Sequence, residues 1–127
     1  MDTVQHLYYA LGEAAYAIAK ADGTVQAEER RKIHDIVVAE TAHHELNFDY
    51  AEIIFHILNK DNTDSRTSYQ WAINEFRKYK TNLTPDLAID FIGIVEKVAA
   101  ATRPGSSEES LLVDRFRKDM MGIAGLS

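Results

Sequence analysis

The sequence predicts an all-α protein, a compact bundle of about six helices built from two related helix hairpins. Three observations predict it. Apolar residues recur at helical spacing along most of the chain, and no stretch alternates as a strand would. The only two prolines, Pro85 and Pro104, fall at segment boundaries.

Leu7, Leu11, Ala14, Ala15 and Ile18 make the stripe of the first helix, and Ile33, Ile36 and Val37 that of the second. Tyr50, Ile53, Ile54, Ile57 and Leu58 give the third, which Asp49 and Glu52 open as a capping box. Turn formers fill 59–65 (NKDNTDS) before a fourth helix marked by Tyr69, Ala72, Ile73 and Phe76. The fifth starts at Thr84-Pro85-Asp86: an N-cap, a proline at the first helical position and an acid suited to the dipole. Its stripe is Leu87, Phe91, Ile94, Val95 and Val98. RPGSSEE then breaks the pattern, Ser106 and Glu109 form a second capping box, and Val113, Phe116 and Met120 carry the sixth helix.

A chain of 127 residues is expected to form one domain, 1–127, with a core that needs no staples. Hydrophobic residues at 46% and charged residues at 27% are globular composition rather than disorder. The absence of cysteine excludes disulfides, thiolate zinc sites and cysteine nucleophiles, and it fits a cytoplasmic location. No apolar run reaches the ~18 residues of a membrane span, and the start MDTVQHLYYALGE has no basic segment of a signal peptide. A net charge of −6 repels phosphate backbones, so nucleic acid is not an expected partner. The two basic clusters, ERRKIH and RKYK, are interrupted by acids or apolar residues and read as solvated helix faces.

Shifting the chain by eighty residues places the first helix pair on the last without a gap. Leu11 falls on Phe91, Ala15 on Val95, Ile18 on Val98, Ala19 on Ala99 and Ala21 on Ala101. Beyond the turn, Glu28 and Glu29 fall on Glu108 and Glu109, Ile33 on Val113 and Ile36 on Phe116. Helical periodicity explains the apolar matches; it does not explain the glutamate pair. The halves run from about 7 to 40 and from about 87 to 120, and two repeats close into one bundle rather than a solenoid.

The first joint, AIAKADGTVQAEERRKI (17–33), sets Asp22 at the end of one helix against Glu28 and Glu29 at the start of the next. An EF-hand is excluded. With Gly23 at its sixth position, the first and third ligand positions would be Ile18 and Lys20, an apolar residue and a cation. Two readings remain. In the structural one, Gly23 ends the first helix, the glutamates favour the positive end of the second, and Asp22 accepts from its free N–H groups, which Gln26 caps poorly. In the functional one, Asp22 with Glu28 or Glu29 holds a hard divalent ion, for which carboxylates favour calcium, magnesium or manganese.

This joint resembles the signature of the TerB-like family, the tellurite-resistance and stress-response domain of bacteria. The shared features are a small-residue helix end, Ala-Asp-Gly, a short loop, a glutamate pair and an apolar helix. Helix content, length and the repeat extend the resemblance over nearly the whole chain. It implies an all-helical fold of two related halves, an acidic surface associated with divalent cations, and no known reaction. Asp22, Glu28 and Glu29 match the family's acidic positions; in the second half only Glu108 and Glu109 do, because Thr102-Arg103-Pro104 replace the acidic turn. A protein partner, unidentified, is the alternative to a cation: an interaction or scaffold domain whose acidic loops are structural.

Nothing in the sequence points to catalysis. His43 and His44 are adjacent and diverge on a helix, and HHEL has no histidine four residues on, as a metalloprotease helix would require. His56 in an apolar helix reads as hydrogen-bonded and partly buried. Tyr8, Tyr9, Tyr16, Trp71, Phe76 and Tyr79 read as core and rim. No nucleophile elbow or phosphate loop occurs, so no catalytic residue is assigned.

Overall fold

A computed structural model describes residues 2–21, 23–40, 48–102 and 107–126. Among them the chain is helical without a strand: α1 (Thr3–Lys20), α2 (Ala27–Glu40), α3 (Phe48–Lys60), α4 (Ser65–Lys78), α5 (Pro85–Thr102) and α6 (Ser107–Ile123). One 3-10 turn, Lys80–Asn82, links α4 to α5.

The axis of the bundle is α1. Residues 10–19 are all buried, because apart from Glu13 this stretch is apolar or small on every side and can satisfy itself only by being surrounded. The largest contacts of α1 are with α3 and α4, and α5 adds a third wall. α2 lies mainly on α5, with a smaller contact to α3, while α6 closes over α5.

Two apolar clusters result. The larger joins α1, α4, α5 and α6 around Tyr8, Tyr69, Phe76, Phe91 and Phe116. Their rings meet at angles rather than face to face: Tyr8 is edge-on to Phe91 at 5.1 Å, and Phe76 lies 6.0 Å from both Phe91 and Phe116. The smaller joins α1, α2 and α3 around Tyr16, Ile33, Ile54 and Phe55, with Val98 arriving from α5.

Small residues let the helices on either side of α1 approach it closely. Ser65 and Ser68 of α4 donate their hydroxyls to the Ala17 and Glu13 carbonyls, one helical turn apart on α1. On the α3 side, Gly12 lies against the backbone of Ala51. The α3–α4 connection is also clasped to α1, since the Tyr16 hydroxyl donates to the Thr63 carbonyl and Lys20 Nζ to Asn62 Oδ1, each at 2.6 Å.

Helix starts follow side-chain chemistry. Thr84 Oγ1 accepts from the Leu87 N–H, and α5 begins at Pro85. Thr84→Ala should therefore lower stability by about 1 kcal/mol. A lower urea midpoint for Thr84→Ala, with Thr84→Ser retaining it, would check this. Two caps are additional to those read from sequence: Asp2 and Gln5 form a reciprocal capping box on α1, and Asp64 accepts from the Thr67 N–H to open α4.

At α3 the structure differs from expectation. This helix already includes Phe48, so Asp49 lies inside it rather than capping it, and Glu52 turns to His34 instead. The expected stripe of α3 also splits. Ile54 and Leu58 are buried, whereas Ile53 and Ile57 are 54% and 44% exposed, their inward places being taken by Ala51 and Phe55. The side chain of Val37 and the cap Ser106 lie outside the described residues.

Candidate functional site

The α1–α2 joint can be built residue by residue. α1 ends with Ala21 still in the right-handed helical region, and Gly23 then takes φ +136°, open to glycine but strained for other residues. The Gly23 N–H donates to the Lys20 carbonyl at 2.9 Å. Val25 is buried and anchors the turn to the smaller apolar cluster. α2 then opens on its glutamate pair, and the two side chains divide: Glu28 is exposed, and Glu29 is 8% exposed. Glu29 Oε1 accepts from the Gln26 N–H at 2.9 Å, the backward half of a capping box. Gln26 lacks the short oxygen of a good N-cap, and Glu29 compensates from the third helical position.

The start of α6 repeats the division. Glu108 is exposed and Glu109 is 2% exposed, at the same two positions of its helix. The Ser107 hydroxyl lies 3.3 Å from Glu108 Oε2. Further pairs eighty apart share burial: Leu11 with Phe91, Ala15 with Val95, Ile18 with Val98, and Ile33 with Val113. Asp22 and Arg103-Pro104 lie outside the described residues.

Among the described residues, no three histidine, aspartate or glutamate side chains come together as an ion would need. Glu29 has one carboxylate oxygen engaged in the cap. The described acids by themselves are thus a poor fit to a cation, and a cation site at this joint depends on Asp22 joining the exposed Glu28.

Two features lie outside the predicted site. The first is a groove of about 580 Å³ between α1, α2 and α3. Leu11, Ala15, Ile33 and Phe55 contribute apolar surface to it, and Arg30, Arg31 and His56 add polar groups. His34 Nδ1 stands 2.5 Å from Glu52 Oε1, linking α2 to α3. His56 is exposed here, not partly buried as its apolar neighbours suggested.

The second feature is Glu13, a carboxyl 4% exposed within α1 whose Oε1 has no hydrogen-bond partner among the described residues. Burial, and secondarily the charge of Glu75 on α4, pushes its pKa from an ordinary 4.5 to about 8. Tyr9 and His6 lie one and two turns back on α1. His6 Nδ1 stands 3.0 Å from Glu75 Oε1, its ring stacks on Tyr79 at 4.4 Å, and Glu13 and Glu75 both raise the Tyr9 phenol, after burial itself. The sequence signal was a lone glutamate in the apolar run LGEAAYAIA.

The chain matches no protein-family model, no curated protein and no solved structure.

Proposed function

We propose that the chain is a non-catalytic, TerB-like stress-response module of the tellurite-resistance kind, acting by binding. One observation supports this most: two helix pairs eighty residues apart begin their second helices with the same glutamate pair, outer one exposed and inner one buried. The cation part of the proposal uses Asp22 and Glu28, with Glu29 reserved for the helix start. A cytoplasmic setting belongs to the same proposal, in keeping with a cysteine-free chain. Among the described residues no helix is long and apolar enough to cross a membrane.

A second reading is favoured by the Gln26–Glu29 bond. In it both acidic turns are structural, and the module is an interaction domain for a protein partner.

Thermal-shift titration of chelator-stripped protein with calcium, magnesium, manganese and zinc separates the two. An ion at ~100 times its Kd adds about 2.7 kcal/mol, on the order of 10 °C for a domain of this size. The expected result is a saturable shift with a hard ion, lost in Asp22→Asn and weakened in Glu28→Gln. No shift with any ion would leave the interaction domain.

A further inference from the structure

We propose that the groove between α1, α2 and α3 binds an apolar carboxylate, a molecule carrying one ionised carboxylate on an apolar chain or ring. Its size is appropriate: about 580 Å³ lies within the range of small-molecule sites. Its floor is the nearly buried Leu11, Gly12 and Ala15 of α1, Ile33 of α2, and Ala51 and Phe55 of α3. Ile53 and Ile57 extend it outward as exposed isoleucines one turn apart on α3. They offer apolar area that the fold itself leaves in water.

The polar groups of the groove select the other end of the ligand. Arg30 lines it, and the Arg30 Nε–H is buried with no acceptor among the described residues. That Nε–H is shielded from the groove as it stands, so a ligand meets the guanidinium through its outer N–H groups, for which a carboxylate is the acceptor of matching geometry. Arg31 and His56 lie along the same groove. Glu52, the one acid among the described lining residues, is paired with His34. In a chain of net charge −6 this local excess of cationic groups attracts an anion where the rest of the surface repels it. A neutral apolar molecule would fill the groove and leave Arg30 as it is. An inorganic anion would answer Arg30 and leave the isoleucines in water. A single apolar carboxylate does both.

Glu28 is not among the described residues lining the groove, and the test below reads Arg30 rather than the acids of the α1–α2 joint, so this assignment stands or falls apart from the cation site.

The test is isothermal titration calorimetry of the whole chain with decanoate, below its micelle concentration, and with 1-decanol, which has the same chain without the charge. Decanoate should bind saturably at one site, at least about tenfold more tightly than decanol, the difference expected of a charge-assisted pair. Arg30→Gln should reduce decanoate to the level of decanol and leave decanol unchanged. Ile57→Glu alters an exposed position, removes apolar surface and sets a like charge beside the ligand, so it should weaken both ligands, and decanoate more than decanol. Melting curves of both variants establish that each is folded. Absence of saturable decanoate binding to the folded wild type would overturn the proposal, as would decanoate binding indifferent to both substitutions. An acidic amphipathic helical peptide forms a third arm. Its binding where decanoate is silent would overturn the small-molecule assignment in favour of a protein partner.

Discussion

Gly12→Ala is expected to destabilise the protein by about 3 kcal/mol or more, although alanine is the better helix former. A Cβ at Gly12 would stand 2.3 Å from the Ala51 carbonyl oxygen, 2.5 Å from Ile54 Cγ2 and 2.8 Å from Ala51 Cα. Two of those three atoms are backbone, so no rotamer change relieves the clash, and α1 and α3 must separate along their contact. Separation would open the smaller apolar cluster, in which Ala15 and Tyr16 meet Ala51, Ile54 and Phe55. Gly93 on α5 is the control. A Cβ there meets nothing within 4 Å, so Gly93→Ala should stabilise by about 0.4–1 kcal/mol through the unfolded chain. Urea midpoints of the two variants, moving in opposite directions, check the pair. A Gly12→Ala protein as stable as wild type would mean that α1 and α3 are not in this contact.

The second large effect is a pH dependence set by Glu13. The folded carboxyl holds its proton up to about pH 8, whereas the unfolded one releases it near its ordinary 4.5. Between those values the folded state binds more protons than the unfolded state, so stability falls as pH rises, by up to about 1.4 kcal/mol per pH unit. The stabilisation is complete below the unfolded pKa and is lost as pH passes through the folded one. Glu13→Gln has nearly the same shape and cannot ionise. It should match wild type near pH 5 and exceed it increasingly up to about pH 8, above which the gap levels off. Urea midpoints of both proteins across that range would check it, and parallel profiles would mean that Glu13 is ionised in the fold.

Both effects show what kinds of information the chain reveals locally. Helices were legible because their period and caps are short-range properties. Thr84-Pro85-Asp86 announces the start of α5 without reference to any other helix, and so do the stripes of α1, α4 and α5. The outer and inner glutamates at 28–29 and 108–109 were legible as a pair. Their division into exposed and buried required the axis of each helix relative to the core. In α3, apolar residues occupy more than one face, and only the position of α1 decides that Ile54 points inward and Ile53 outward. Gly12 carried a weaker signal, a glycine inside a helix where it lowers helix propensity by about 1 kcal/mol and so suggests a packing reason. Nothing local identified Ala51 as that reason. The environment of Glu13 likewise depends on Glu75, sixty-two residues away in sequence and on another helix.

The most direct test of the binding proposal is a ¹⁵N NMR titration of the chelator-stripped chain with calcium, and then magnesium or manganese. Saturable changes are expected at the first joint, from Lys20 through Glu29, with the second joint at 100–109 unresponsive because Thr102-Arg103 replace Asp22-Gly23 there. Changes absent from the first joint at every ion concentration, or spread evenly over all exposed acids, would contradict it.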